Sequence, residues 1–329
     1  MVDAFNISIC VSILNEEENI ERCIDAILAS SKDFNCELLL LDNGSTDQTS
    51  KILRKYNEIN NCKIISFSDT VGLDLSRNHL LKNSSGTFAV FLDADGLVNS
   101  DYFSVLNQNL SQEYHIYSGP VIEQSSRRNN FYELHYLSLI KSASRFLIGA
   151  NFVVNVSEAL KVGGFPRITA RRGDEDPLIK LMLNNGSKQC FIDTLIASNH
   201  FINSSKDFVK SFYYEGQNAY LYMLYFEEPF ILKTIYKSIF LLGLFVIGIA
   251  LIMQNFVIGL FGISFLTMKV FFQRKYWARV MHRAKQILSF DILRDLAVLF
   301  VAHVTHEFGF LYSMFTRKKP RCWLNKAEQ

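Results

Sequence analysis

The chain has 329 residues, 49% hydrophobic and 20% charged, with a net charge of +2. It holds enough apolar material for one large domain or two modest ones, and its charge balance excludes a general nucleic-acid-binding surface. Six widely spaced cysteines with no C-x-x-C pair exclude a zinc site or disulfide framework and fit a reduced compartment.

The opening MVDAFNISIC lacks a basic start followed by a long apolar stretch, so no signal peptide is expected and the N-terminal domain is expected to face the cytoplasm. Ile7 to Leu14 reads as a strand, followed by a helix with Ile20, Cys23, Ile24, Ile27 and Leu28 on one face. Asn15 and Glu18 have the spacing of a capping box for that helix. Glu37 to Leu41 is an unbroken apolar strand of the kind buried on both faces of a parallel sheet, and it ends at Asp42. The turn Asn43-Gly44 follows, with Ser45 and Asp47 as caps for a helix carrying Thr49, Ile52, Leu53 and Tyr56. A strand at Lys63 to Phe67, a helix around Ser76 to Lys82 and a strand at Phe88 to Leu92 come next, the last running directly into Asp93 and Asp95. These alternations predict an α/β Rossmann-like fold: a doubly wound, mostly parallel sheet whose ligands bind at the carboxyl ends of the strands.

Beyond residue 101 the pattern loosens. A helix is expected at Phe131 to Ser144 and another at Asp176 to Asn184, with Asp176 as cap, Pro177 in first helical position and Asn185-Gly186 closing the end. The mean hydropathy of +0.11 is high for a wholly soluble enzyme, and the excess is local, because Ile239 to Met268 carries no charged side chain. That run is longer than one membrane span of about 20 residues and somewhat short for two. A helical hairpin turning at Gln254-Asn255 is expected, with Lys233 and Lys237 before it and Lys269, Arg274, Lys275 and Arg279 after it keeping both ends cytoplasmic. Leu293 to Phe315 contains Arg294, Asp295, His303, His306 and Glu307, which favours an amphipathic helix in the membrane interface over a third span. The expected organisation is an α/β domain over 1–225, in two halves meeting at about residue 100, then a membrane-associated helical region over 226–329.

The chemistry-bearing residues fall at strand ends and one helix start. Asp93 and Asp95 can hold Mg²⁺ or Mn²⁺ against a diphosphate, whose negative charge grows as a glycosidic bond breaks. Asp42 can reach the same crevice to bond a nucleobase or ribose, or can simply form the turn with Asn43. Arg77 is a candidate diphosphate contact. In Gly173-Asp174-Glu175-Asp176, an acid at a helix N-terminus is held ionised by the dipole and can take the proton of an incoming hydroxyl; Asp176 suits that base role, as it also suits a plain cap. His200 is a candidate metal ligand or diphosphate contact.

Several segments in order resemble the family 2 glycosyltransferases: ISICVSILNEEENI, LLLLDNGSTDQT, GLDLSRNHLLKNSSGTFAVFLDAD, GANFVVNVSEALKVGGF and GDEDPLIKLMLNNG. The resemblance covers about residues 6 to 217. It implies an inverting enzyme of the A-type nucleotide-sugar fold, in which Glu16 and Asp42 bind the nucleoside and Asp93 and Asp95 organise metal and diphosphate. Asp176 serves as base, Glu175 borders the acceptor, and Gly149 and Asn151 lie under the donor sugar or acceptor. The full expected donor-binding set is Ser12, Asn15, Glu16, Asp42, Asn43, Arg77, Asp93 and Asn151; the metal set is Asp93, Asp95 and His200. Ser12 stands where many members have proline, and Asn43 replaces the second acid of an Asp-Asp pair, which leaves the nucleotide open. The Gln-x-x-Arg-Trp motif of the processive synthases is missing from the matching region, so a single-addition enzyme is expected.

The expected partners are a nucleotide-sugar donor, a lipid-linked or glycan acceptor and the cytoplasmic face of the cell's inner membrane, with no nucleic acid and with homo-oligomerisation open. Two other classes compete. A sugar nucleotidyltransferase would show a Gly-rich phosphate loop after the first strand, and SILNEEEN has no glycine. A non-catalytic nucleotide-sugar binder or assembly subunit would bind donor without metal-dependent turnover.

Overall fold

In the computed structural model the described residues are 6–124, 149–168, 173–200, 204–226, 230–254, 256–272, 277, 278, 280 and 292–316. They fall into two compact units. The first runs through the chain to residue 124 and includes 149–167 and 173–200; the second takes the helices from 204 onward. The helix expected at Phe131 to Ser144 lies outside the described residues.

The first unit is built on β1 (Ile7–Ile13), α1 (Ile20–Ser31), β2 (Cys36–Asp42), α2 (Thr49–Leu53), β3 (Cys62–Ser66), α3 (Leu73–Asn83) and β4 (Phe88–Asp93). Strands β3-β2-β1-β4 lie side by side in parallel. Alternation in the strands divides the apolar side chains between two cores. Ile9, Val11, Leu38, Leu40, Val90 and Leu92 face α1, which contributes Ile20, Cys23, Ile24 and Ile27. Cys10, Leu39, Leu41, Ala89 and Phe91 form the other core with Leu80 and Leu81 of α3. Burial of each such aliphatic side chain contributes about 1.5–3 kcal/mol, so the ELLLL strand is held from both sides.

After β4 come β5 (Leu97–Val98), α4 (Tyr102–Asn109), β6 (Ile116–Ser118), β7 (Val121–Glu123), β8 (Asn151–Asn155), α5 (Val156–Lys161), α6 (Glu175–Asn184), β9 (Gln189–Phe191) and β10 (Ala197–Asn199). β8 pairs antiparallel with β4 and β6, extending the main sheet to β3-β2-β1-β4-β8-β6-β9. The sheet is therefore mixed beyond its four parallel strands. A second sheet, β5-β10-β7, forms beside the end of β4, and no alternation in the sequence announced it because its strands are two or three residues long.

Two expected caps are corrected. The N-cap of α1 is Asn19, with no side-chain cap bond; Asn15 instead sits at φ 54° and spends its side chain on the neighbouring loop. The N-cap of α6 is Asp174, so Glu175 and Asp176 occupy the first turn and Pro177 its third position. Proline is tolerated there because none of the first amides has an intrahelical partner.

In the second unit, α7 (Ser205–Tyr225) is grouped with the later helices, so the change of unit falls near residue 202, ahead of the boundary at 225 drawn from the sequence. α8 (Phe230–Ile252) and α9 (Phe256–Phe272) form the expected hairpin, with Gln254 at φ 50° in its turn. α10 (Ile292–Thr316) packs along α7. The two backbones nearly touch: a Cβ added at Gly216 would lie 1.8 Å from the His306 carbonyl oxygen, and one at Gly309 would lie 2.0 Å from that of Tyr213. Leu296–Thr316 within α10 is long and apolar enough to cross a membrane, and its acid Glu307 is buried, accepting the Leu241 N–H at 3.0 Å. An inward-facing polar group is how an apolar helix carries a carboxylate.

Candidate active site

The carboxyl ends of β1, β2 and β4 lie side by side at one end of the sheet, where open α/β sheets form their ligand crevice, and the loops that leave β1 and β2 are laced together. Asn15 Oδ1 accepts the Thr46 N–H at 2.8 Å, Thr49 Oγ1 accepts the Glu16 N–H at 2.8 Å, and Glu17 Oε2 accepts the Gln48 N–H at 2.8 Å. Asp42 is buried beneath this lacing. Its carboxylate accepts the Ser45 N–H at 2.9 Å and the Ser50 hydroxyl.

Asn43 is buried too and is committed elsewhere. Its Nδ2 donates to the Val71 carbonyl and its Oδ1 accepts the Val71 N–H, both at 2.9 Å. This two-bond clasp needs a donor and an acceptor on one side chain, which asparagine has and ionised aspartate lacks. Gly44 beside it has φ +79°, and a Cβ there would meet the Asp69–Thr70 backbone at 2.8 Å. Ser12 pairs with the Ser76 hydroxyl at 2.7 Å, tying β1 to α3. The side chains of Asp42, Asn43 and Ser12 thus tie together the segments at this end of the sheet.

Three acids face the crevice. Burial raises the Glu16 carboxyl above its usual range, and the Asp93 and Asp47 charges add to the rise while Asn19 opposes it. Burial also raises Asp95, with the charge of Glu16 next; the Asn199 bond and His200 pull the other way. Asp93 bonds Asn199 Nδ2 at 3.4 Å and Arg77 Nη2 at 3.2 Å. Asn199, at the end of β10, therefore ties Asp93 to Asp95. It was missed in the sequence, where the one signal was its place beside His200.

Among the described residues no three His, Cys, Asp or Glu side chains form a ready ligand set, so Asp93, Asp95 and His200 do not make a closed protein cage. The donor set still suits a hard divalent cation. Carboxylates that repel one another at an open edge are stabilised by one, and Mg²⁺ is typically held by one or two carboxylates, with substrate phosphate and water completing its shell.

Arg77 lies beneath the acids rather than at the crevice surface. It is 4% exposed, and Phe152 lies 5.5 Å beneath its guanidinium. Nη1 bonds Asp174 at 3.0 Å, and Nη2 bonds Asp93 and the Gly149 carbonyl, the latter at 2.8 Å. Glu175 stands 3.6 Å from Nη1. Burial opposes the charge on Arg77, and the Asp174, Asp93 and Glu175 carboxylates outweigh it, leaving the guanidinium firmly protonated. Arg77, the expected diphosphate contact, has both terminal nitrogens engaged by protein groups, as α3 packs against β1 and β2. Asp174, the partner that sequence reasoning passed over within GDED, keeps Oδ2 buried without a hydrogen bond.

Glu175 accepts the Gly149 N–H at 3.1 Å. Burial, then the Asp174 and Asp176 charges, push its carboxyl up to about 8 against the pull of Arg77. Asp176 reaches solvent, yet the protein packed around it and the Asp174 charge push it up to about 6. Asn151, expected under the donor sugar, is wholly enclosed: it accepts the Tyr102 hydroxyl at 2.7 Å and donates to the Leu195 carbonyl at 2.8 Å and the Pro120 carbonyl at 3.2 Å. It staples α4 and two loops to β8.

A parallel sheet with acids at the ends of β2 and β4, extended by an antiparallel β8, is the A-type nucleotide-sugar glycosyltransferase fold. Residues 8–165 match the family model for glycosyl transferase family 2. The chain is similar to glycosyltransferase GlyA of Streptococcus pneumoniae, 28% identical over 104 residues, which are 32% of this chain and 15% of that protein. It is also similar to the cholesterol galactosyltransferase of Borreliella burgdorferi, 26% identical over 230 residues, 65% of this chain and 60% of that protein. Each match spans less than two thirds of the relative's own length. The mannosyltransferase PcManGT of Pyrobaculum calidifontis, solved in complex with GDP-Man and Mn²⁺, shares the fold with a TM-score of 0.60 over 96% of this chain and 89% of its own, at 14% identity.

Proposed function

We propose that the protein is an inverting, metal-dependent glycosyltransferase that moves a sugar from a nucleotide-sugar to a lipid-linked or glycan acceptor at the cytoplasmic face of the membrane. The observation that carries this reading is the pairing of donor-side and acceptor-side acids across one guanidinium, with Asp93 3.2 Å and Glu175 3.6 Å from Arg77.

Asp93 and Asp95 would hold Mg²⁺ or Mn²⁺, and His200 borders them. Bound there, the cation offsets charge on the departing nucleoside diphosphate. Glu175 takes the proton of the acceptor hydroxyl as its oxygen forms the new bond to the anomeric carbon, while the bond to the diphosphate breaks on the opposite side. We place the base at Glu175 ahead of Asp176 because Glu175 is turned inward to Arg77 and Gly149, whereas Asp176 is exposed. Membrane attachment is supported by the bare apolar side chains of the second unit, Phe245, Leu251, Ile252, Phe261 and Phe315 among them, which exceed what a soluble surface normally carries.

The test is a donor screen on the full chain in detergent, with Mn²⁺ or Mg²⁺ and a panel of nucleotide-sugars, reading binding and nucleoside diphosphate release for wild type, Asp93→Ala and Glu175→Gln. Transfer from one donor with inverted stereochemistry, lost in both variants but with donor binding kept in Glu175→Gln, is the expected result. A trapped sugar–protein intermediate contradicts direct displacement, and donor binding without metal-dependent turnover favours an assembly subunit.

A further inference from the structure

We infer that Arg77 is a positioning residue whose single guanidinium sets the spacing between the donor-side carboxylate of Asp93 and the acceptor-side carboxylate of Glu175. This presupposes the roles proposed above for those two acids.

The partners of Arg77 come from three separate stretches. Asp93 ends β4, Gly149 precedes β8, and Asp174 and Glu175 open α6. Each stretch takes its own direction from the planar fork: Nη2 to Asp93 at 3.2 Å and to the Gly149 carbonyl at 2.8 Å, and Nη1 to Asp174 at 3.0 Å with Glu175 at 3.6 Å. Gly149 also donates its N–H to Glu175 at 3.1 Å, so Arg77, Gly149 and Glu175 close a ring. A Cβ at position 149 would stand 2.9 Å from Glu175 Oε2, so any side chain there requires the Glu175 carboxylate to move. Glu175 is thereby clamped between a guanidinium and an amide, and the same guanidinium anchors Asp93.

Charge alone does not account for this arrangement. A lysine ammonium is one point with no fork, and it cannot bond Asp93 and Asp174 from two nitrogens at once. If Arg77 only balanced the surrounding acids, Arg77→Lys would serve as well. If it sets a distance, Arg77→Lys leaves the donor bound but misplaces the base, and a misplacement on the order of 1 Å costs about 100-fold in rate.

The experiment compares wild type, Arg77→Lys, Arg77→Gln and Gly149→Ala as full chains in detergent, reading kcat, KM for donor and for acceptor, direct donor binding and Tm. Positioning predicts that Arg77→Lys and Gly149→Ala each lose about 100-fold in kcat with donor affinity within about threefold of wild type, and that Arg77→Gln is worse than Arg77→Lys. Wild-type kcat in Arg77→Lys overturns the inference in favour of charge balance, and donor affinity falling in step with kcat/KM overturns it in favour of direct donor contact. Should Arg77→Lys fail to fold, Gly149→Ala decides, because its added methyl displaces Glu175 and leaves the guanidinium in place; unchanged kcat there sinks the proposal. Absence of turnover in the wild type with every donor rejects the transferase reading itself, and the wild-type arm alone reports that.

Discussion

The guanidinium of Arg77 on α3 meets the carboxylate of Asp174, 97 residues further along the chain, at 3.0 Å with both side chains buried. Breaking a buried pair strands the remaining charge and costs about 3–5 kcal/mol. Asp174→Ala is expected at the lower end of that range, because Asp93 and Glu175 still face the guanidinium. Chemical unfolding of the variant beside wild type measures it, and an unchanged midpoint would show that the pair adds nothing to stability.

The pH profile discriminates between the two acids at the start of α6. A carboxyl accepts a proton only when ionised, so the fraction competent as base grows as pH rises through its raised pKa. Turnover should therefore climb through about 8 if Glu175 is the base and level off past about 6 if Asp176 is. Stability follows the opposite sign. Folded Glu175 binds its proton up to about 8 while the unfolded side chain releases it near the ordinary 4.5, so its contribution is fully present below that lower value and is lost as pH rises through 8. Glu175→Gln should flatten that fall; an unaltered stability–pH curve would contradict the raised carboxyl.

The Asn43–Val71 clasp makes a one-atom test. Asn43→Asp restores the second acid common in the family but loses the Nδ2 donor and sets a carboxylate oxygen against the Val71 carbonyl. A loss of about 1–3 kcal/mol is expected, read as a lower Tm, with weaker nucleotide binding because the 68–72 loop is released. Gly44→Ala should act in the same direction through its positive φ and the 2.8 Å approach of Asp69–Thr70. A variant with wild-type Tm would remove the clasp from the account.

In the second unit, glycines predict opposite outcomes. Gly216→Ala and Gly309→Ala each drive a methyl into the facing helix backbone, at 1.8 Å and 2.0 Å, and overpacking of that kind costs about 1–3 kcal/mol. Gly248→Ala meets nothing within 4 Å and should gain about 0.5–1 kcal/mol from helix propensity. Thermal unfolding of the three variants in detergent checks the contrast, and equal behaviour would mean that α7 and α10 do not approach closely.

The hairpin tip offers a readout of membrane contact. Leu251, Ile252 and Met253 are 74%, 84% and 61% exposed, so replacing Leu251 and Ile252 with aspartate should move the protein from the floating to the soluble fraction in anionic vesicle flotation. Retention with vesicles at wild-type level would assign the contact to α10.

What the sequence by itself determined is local. The two-residue alternation of β1, β2 and β4, the helical spacing of α1, the acids closing β2 and β4, and the hairpin break at Gln254 all follow from neighbours a few positions apart, where side-chain periodicity and backbone preference decide. The tertiary structure alone decided what the polar side chains do. Arg77 reads as a candidate diphosphate contact in its own helix, and residues 93, 149 and 174 converge on it in the fold. Asn151 and Asn43 read as ligand contacts and are consumed by Leu195, Pro120 and Val71. Asn199, unremarkable in sequence, joins the crevice acids. A buried polar group must find a partner wherever the fold brings one, and that choice rests on contacts between segments too distant along the chain for any local pattern to record.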